Sequence, residues 1–403
     1  MGDVGAGTFA DKTYDQSESE QSKLLVTIVL PCLNEEGSVG ECIDEATDAL
    51  TAAGISGEVL IVDNNSTDRS VEVAMAHGAR VIHERIPGYG SALRAGIKAA
   101  LGEIVVMADA DLTYDLSRVA DLIKPVLDGS ADIVLGERLS EAHRSTMPFL
   151  HRRVGTPMLT LLVRGATRGL TVTDSQSGYR AFRRDAVLNL GLTATGMEFA
   201  SEMLIRAGKE GLRVVERSTG YRERVGDSKL NTFSDGWRHV RQILLLAPHL
   251  MLVAPGAIVT GLGVALLALG LIVPAGIDVG SLRWQPSFVS GVALVIGVQA
   301  IIAGLVLSEK KQSSNDGVRP YAPKQPNLPS LCLAVGLVLS VIGIGIDAWL
   351  FILWLDKSGP LSRGIALGSV AQSCLIDGVS LVGFGLIYPI VVQNSVQSNA
   401  PLK

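Results

Sequence analysis

Several things are scarce in this chain, and each scarcity excludes something. Only four cysteines occur in 403 residues. Cys32, Cys42, Cys332 and Cys374 are scattered, with no C-x-x-C and no nearby histidine pair, so they make neither a disulfide framework nor a zinc site. Basic charge is not in excess. With 35 Lys+Arg against 40 Asp+Glu the formal net charge is −5, which removes a global footprint for nucleic acid. Residues 1–22 have neither a basic stretch nor an apolar run, so they read as a polar, disordered tail and not as a signal peptide. The soluble part is then expected in the cytoplasm.

What is plentiful is apolar residue, 47% of the chain, with a mean hydropathy of +0.34. It is unevenly placed. Composition is ordinary to about residue 240 and rises sharply in apolar content from Leu244, the pattern of a soluble domain followed by a membrane domain.

In the soluble part, strands are expected at Leu24–Leu30, Glu58–Val62, Ala79–His83, Ile104–Met107 and Asp132–Leu135. Helices are expected from Asn34 to Leu50, Arg69 to His77 (capped by Ser66 or Thr67), Ser91 to Leu101 and Leu116 to Leu127. This alternation predicts βαβ units and a mainly parallel sheet. Further on, the pattern is helical over Thr146–Arg168, a loop over Thr173–Arg180, helical near Glu198–Glu210 and a strand at Leu212–Glu216.

The fourth strand ends in Asp109-Ala110-Asp111. Strand alternation would put both carboxylates on one face, at the strand end where open α/β sheets bind ligands. Two adjacent carboxylates repel unless a cation lies between them and something anionic. The sharp reading is a divalent metal holding a diphosphate; the bland one is a solvated acidic turn.

Further motifs share that order. Pro31-Cys-Leu-Asn34-Glu35, Val62-Asp63-Asn-Asn-Ser66-Thr-Asp68, Gly88-Tyr-Gly90-Ser-Ala-Leu-Arg-Ala-Gly96 and Ala108-Asp109-Ala-Asp111-Leu112 together resemble the family 2 glycosyltransferases of the GT-A fold. Asp174-x-x-Ser177-Gly178-Tyr179-Arg180 and Arg222-x-Arg224-x-Gly226-x-Ser228-Lys229-Leu230 are similar to the dolichol-phosphate mannose synthase and polyprenyl-phosphate branch. The resemblance spans about residues 26–247. It implies a Rossmann-like GT-A domain in which Pro31, Asn34, Glu35, Asp63, Gly88, Gly90 and Asp109 contact a nucleotide sugar. Asp109 and Asp111 would hold Mg2+ or Mn2+ on the donor diphosphate. The family often has Gln two residues after the second Asp; here that position is Thr113, and the common double aspartate after strand two is Asp63-Asn64. Acceptor-phosphate contacts are implied at Arg138, Arg152 and Thr156. Arg222, Ser228 and Lys229 would lie near the donor diphosphate or the acceptor phosphate, with a solvated surface charge as the bland alternative for any one arginine. Glu198 and Glu202 share a helix face and either touch sugar hydroxyls or make salt bridges.

A phosphate monoester is largely dianionic at pH 7, so a lipid phosphate can attack the anomeric carbon without a protein base. Positioning and charge stabilisation are then the enzyme's tasks.

The expected domains are a tail (1–23), a GT-A domain (24–230), an interfacial amphipathic region (231–247), an all-α transmembrane domain (248–392) and a C-terminal tail (393–403). Spans are expected at about 250–273, 286–307, 329–353 and 364–390, each long enough for about 30 Å of hydrocarbon. The basic residues of 309–324 lie between the second and third, which places that loop and both termini in the cytoplasm. Asp347 and Asp377 fall inside spans and should face protein or water. The expected activity is inverting transfer of a hexose, glucose or mannose, from a UDP- or GDP-sugar to polyprenyl phosphate. A processive polysaccharide synthase, of which Gly236-Trp237-Arg238 is a superficial echo, and a non-catalytic lipid-sugar flippase or scaffold are the alternatives. Self-association is left open.

Overall fold

The computed structural model describes residues 24–138, 156–167, 170–219, 222, 232–280, 282–315, 328–355 and 361–397. The expected N-terminal tail lies outside the described residues; of the expected C-terminal tail, 393–397 continue the last helix and 398–403 lie outside them. The chain divides into two compact units, residues 1–236 and 237–403.

The first unit runs β1 (Val26–Cys32), α1 (Val39–Ala52), β2 (Gly57–Asp63), α2 (Ser70–Ala76), β3 (Arg80–His83), α3 (Tyr89–Ala99), β4 (Ile104–Met107), α4 (Val119–Leu127), β5 (Ile133–Glu137), α5 (Thr156–Ala166), β6 (Arg180–Arg183), α6 (Arg184–Leu188), α7 (Phe199–Lys209) and β7 (Val214–Ser218). The seven strands form one sheet in the order β3-β2-β1-β4-β6-β5-β7. Every pairing is parallel except the two made by β6, which runs against β4 and β5. The expected mainly parallel sheet is therefore present.

The strands are buried on both faces, which is why β1, β2 and β4 read as continuous apolar runs. Ile28, Leu30, Ile61 and Val106 pack on one side with Cys42, Ile43, Leu122 and Ile123 of α1 and α4. Val29, Leu60, Val62 and Met107 pack on the other with Leu93, Ile97, Phe199 and Met203 of α3 and α7. Each fully buried Leu, Ile or Phe contributes about 1.5–3 kcal/mol relative to exposure. At Gly96 a Cβ would collide with Val29 and Val62, so α3 sits on the sheet as closely as a glycine allows.

Several boundaries differ from expectation. Helix α1 starts at Val39, not Asn34, because Asn34 has φ +56 and the segment after it is a turn. Neither Ser66 nor Thr67 caps α2: the Ser66 hydroxyl accepts from the Asn34 N–H at 3.0 Å, and Asp68 Oδ1 takes the Ser70 N–H at 3.0 Å. The expected loop from Thr173 is present to Tyr179, and is followed by β6 and α6, which were not expected. Strand β4 stops at Met107, so Asp109 and Asp111 lie in the following loop and strand alternation does not set their directions.

α8 (Thr232–Leu246) joins the two units in sequence, with Trp237 65% exposed and His239 and Ile243 buried. The second unit continues with α9 (Ala254–Ile272), a hairpin of β8 (Ile277–Val279) and β9 (Leu282–Trp284), α10 (Pro286–Asn315), α11 (Leu328–Leu355) and α12 (Leu361–Gln397). The hairpin was not expected. Four helical segments, His249–Ile272, Pro286–Ser308, Leu328–Leu355 and Gly364–Leu386, are long and apolar enough to cross a membrane. Glycines let them approach: a Cβ on Gly336 would meet Gly378 O at 2.7 Å, and one on Gly343 would meet Ala371 O at 2.8 Å. Asp377 is 6% exposed and faces protein, and its Oδ1 has no hydrogen-bond partner among the described residues.

Candidate functional site

Strand β1 has β2 on one side and β4 on the other, while the chain enters β4 only after β2 and β3. The strand order reverses between β1 and β4. Open α/β sheets bind ligands at the carboxyl ends of strands at such a switch point. The loops that leave β1 and β4 here carry Asn34, Glu35, Asp109 and Asp111, Asp63 is the last residue of β2, and Pro31 lies within β1 beside them. The Ser38 hydroxyl ties two of these loops together by donating to Ala110 O at 2.7 Å.

The loops after β1 and β2 are laced to each other. Asn34 Oδ1 accepts the Thr67 N–H at 2.7 Å, and Glu35 N–H donates to the Ser70 hydroxyl at 2.7 Å. Glu36 gives its N–H to Asp68 Oδ2 at 3.2 Å and accepts the Arg69 N–H at 3.0 Å. Asn34 is thus a bracket between loops, and it holds a left-handed φ to act as one. Asp63 is 5% exposed; its Oδ1 accepts the Ser66 N–H at 3.0 Å, and its Oδ2 lies 3.0 Å from His83 Nδ1. Burial opposes the ionised form, but Ser66 and His83 outweigh it and hold this carboxyl below its usual range.

Asn64 explains the departure at the second aspartate position. Its Nδ2 donates to Glu84 O at 2.8 Å and Ile86 O at 2.9 Å, and its Oδ1 accepts the Gly88 N–H at 2.7 Å. Two donors and one acceptor on a single side chain are what an amide has and a carboxylate lacks. Asn64 thereby sets the entry to α3. There Gly88, at φ +129, would collide with Thr195 O through any Cβ, and one on Gly90 would meet Ala194 O at 2.6 Å. Both predicted glycines are accounted for by packing on the 194–196 backbone.

Between those glycines, Tyr89 reaches Asp109: Oη donates to Oδ1 at 2.8 Å. Burial, with Asp109 next, keeps the phenol protonated well above its usual range, so it remains a donor. Asp111, 4% exposed, accepts from Thr113 N–H at 3.1 Å and Thr113 Oγ1 at 2.6 Å, both on Oδ1. Thr113 therefore orients Asp111. Leu112 between them takes φ +63, a conformation that costs a side-chain-bearing residue free energy. Behind Asp109 lies Gly178. A Cβ there would meet Tyr89 Oη at 2.9 Å, Tyr114 Oη at 3.1 Å and Asp109 Oδ1 at 3.3 Å. Gly178 N–H donates to Tyr114 Oη at 2.8 Å. Carboxylate oxygens supplied by two residues of one loop are hard donors that suit Mg2+ or Mn2+.

Of the predicted basic residues of the second half, Arg138 and Arg222 are engaged. Arg138 forms a buried fork to Asp174, Nε–Oδ2 2.7 Å and Nη2–Oδ1 3.0 Å. Arg222 donates its N–H to Thr113 O at 2.8 Å. Its guanidinium binds Glu45 at 2.9 and 3.0 Å and Asp115 at 2.8 Å. Thr156 is buried at the start of α5. Arg152, Ser228 and Lys229 lie outside the described residues. Glu202, fully buried, accepts from Thr193, Ala194 and Arg206 and is a support for the 193–196 loop. Glu198 accepts the Gly196 N–H at 3.0 Å on Oε1, while its buried Oε2 has no partner among the described residues.

Sequence reasoning did not single out Ser38, Asn64, Tyr89, His83 or Gly178 for these roles. The sequence signals were the position of Tyr89 between two glycines, the amide of Asn64 at the second aspartate position and Gly178 within its motif; the register that pairs Asp63 with His83 is visible only in the fold.

Sheet order and carboxylate loops together define an α/β protein of the GT-A class. Residues 27–191 match the family described as glycosyl transferase family 2. Over 364 residues the chain is 34% identical to the low-salt glycan biosynthesis hexosyltransferase Agl6 of Haloferax volcanii, covering 89% of this chain and 86% of that one. It is 35% identical over 215 residues to a dolichyl-phosphate hexose transferase of the same organism, 52% of this chain and 89% of the relative. A crystal structure of glucosyl-3-phosphoglycerate synthase from Mycobacterium tuberculosis, with Mn2+, uridine-diphosphate and phosphoglyceric acid, is similar at 25% identity, with 56% and 78% of the two chains covered and a TM-score of 0.47. The chain belongs to glycosyl transferase family 2.

Proposed function

We propose that this glycosyltransferase moves one hexose, glucose or mannose, from a UDP- or GDP-sugar to a polyprenyl, dolichyl-type phosphate at the cytoplasmic face of a membrane. One oxygen of the lipid phosphate attacks the anomeric carbon, the bond to the nucleoside diphosphate breaks, and the configuration inverts. The observation that carries the reading is the pair Asp109 and Asp111 on one loop at the β1–β4 switch point, with Tyr89 and Thr113 orienting one oxygen of each. The relative that acts on dolichyl phosphate by name, and the four apolar segments, support the acceptor class.

A divalent cation held by Asp109 and Asp111 supplies charge neutralisation of the leaving diphosphate. The chain's own residues do the rest. Pro31, Glu35 and Asp63 offer the nucleoside a wall of backbone and acceptors at the ends of β1 and β2. Gly88 and Gly90 fix Tyr89 over Asp109. The acceptor phosphate is assigned to Arg138, Arg152 and Thr156, with Arg222, Ser228 and Lys229 at either phosphate. Arg138 and Arg222 already hold carboxylates, but a guanidinium has five N–H donors and can serve both. The basic 309–324 loop and both termini are assigned to the cytoplasmic side.

The test is a panel of UDP- and GDP-sugars with polyprenyl phosphate and Mg2+ or Mn2+, using purified full-length protein and reading product mass. One donor should give a lipid monophosphate sugar. No product from any donor would overturn the assignment.

A further inference from the structure

We infer that Arg180 is a positioning residue for the cation-holding carboxylate: its buried guanidinium pins the 175–177 loop so that Gly178 forms the wall on which Asp109 is seated. The inference rests on the reading of Asp109 as a metal ligand.

Arg180 is fully buried. It donates to Ser177 O at 2.8 Å through Nε, to Ser175 O at 3.0 Å through Nη2, and to Ala200 O at 2.9 Å through Nη1. Met203 Sδ is 3.5 Å from Nη1. No carboxylate forms an ion pair with it among the described residues, and the nearby Asp174 is taken by Arg138. Burial pulls its pKa down to about 10, so it stays cationic at neutral pH. A buried charge satisfied only by neutral carbonyls is costly, and an apolar side chain of similar volume would fill the space more cheaply. What apolar filling would not do is hold three carbonyls from two segments.

Those carbonyls are the ones the site needs held. The N–H side of the same loop is secured elsewhere: Ser175 N–H binds Thr160 Oγ1 at 3.2 Å, and Gln176 N–H binds Asp174 Oδ1 at 3.1 Å. Arg180 secures the opposite side and ties it to the first turn of α7. The residue between Ser177 and Tyr179 is Gly178, whose Cα hydrogen position points at Asp109 Oδ1, Tyr89 Oη and Tyr114 Oη. A loop shifted by half an ångström here moves the backbone that lies against the Tyr89–Asp109 hydrogen bond. Bound geometries must be held within about 0.5 Å to function. Lysine, a point charge with no fork, cannot span these carbonyls.

The experiment is equilibrium Mn2+ binding by the full-length protein in detergent, followed by the electron paramagnetic resonance of free Mn2+, with the kinetic half-saturation for Mn2+ in parallel. For Arg180→Lys, Mn2+ affinity should fall at least tenfold while kcat at saturating Mn2+ stays within about threefold. Wild-type affinity in a folded Arg180→Lys protein would overturn the inference. If that variant does not fold, Tyr114→Phe decides: losing the oxygen that accepts the Gly178 N–H should weaken Mn2+ in the same direction, and unchanged affinity refutes the wall. Wild-type protein that binds no Mn2+, equal in this to Asp111→Asn, refutes the metal reading itself, which separates the two failures.

Discussion

The hydroxyl of Tyr89 donates to Oδ1 of Asp109 at 2.8 Å, so the first turn of one helix fixes a carboxylate on the loop after another strand. A hydrogen bond to a charged group is worth about 1.5–3 kcal/mol. Tyr89→Phe should therefore lower kcat/KM by roughly 10- to 150-fold, at 1.4 kcal/mol per tenfold. The far-UV circular dichroism should be unchanged. Steady-state kinetics with varied Mn2+ and donor check this; a variant as active as wild type would show that Asp109 needs no help from Tyr89.

Asn64→Asp, a change of one atom type, should be damaging. It removes both amide donors and sets a carboxylate against the carbonyls of Glu84 and Ile86. Each unsatisfied buried partner costs roughly 1–3 kcal/mol, more beside a charge. Thermal melting should place Asn64→Asp below Asn64→Ser, because serine adds no charge.

Arg138 and Asp174 are 11% and 0% exposed at the side chain. Removing one partner of such a pair typically costs about 3–5 kcal/mol, because the other is left charged and buried. Asp174→Ala should lose that much by urea denaturation. The double variant Asp174→Leu with Arg138→Met should recover most of it.

Glu58 should contribute to acid sensitivity. Its carboxylate binds the Arg80 guanidinium at 2.7 and 2.9 Å, Thr27 Oγ1 at 2.9 Å and the Leu101 N–H at 3.1 Å. Burial works against the charge, but Arg80, Leu101 and Thr27 together hold the pKa below its ordinary value of 4.5. A depressed carboxyl stabilises the fold above its unfolded pKa, and that share is lost as pH falls from there through the folded value. Melts between pH 6 and 3 should show a smaller acid-induced loss for Glu58→Gln than for wild type, from a lower starting point.

Much of the sheet was legible in the sequence because its strands are buried on both sides. Runs such as Ile28–Leu30 and Ile104–Met107 have no other use in a soluble domain. The residues that end those strands were legible too, since acidic and amide side chains after an apolar run mark a ligand edge. Strand β6 was not. Its four residues begin and end in arginine and show no run, and only pairing with distant β4 and β5 makes them a strand. Asn34 read as a helix start because the sequence does not reveal a positive φ at a non-glycine residue. Tyr89 read as part of a turn, since its partner lies twenty positions away. Arg138 and Arg222 read as bare cations for phosphate; the carboxylates they hold come from other elements and cannot be matched to them by spacing.

The antiparallel insertion of β6 also bears on how the chain is made. The edge of β4 that β6 will cover is already synthesised when about 70 residues of chain, including the second half's first helix, are still to come. At about 5–20 residues per second, that leaves an apolar strand edge open for several seconds on the ribosome. The whole sheet is nevertheless closed by Ser218, ahead of the first apolar segment at His249. Order of translation thus lets the first unit shut this association-prone edge before the first long apolar segment is made.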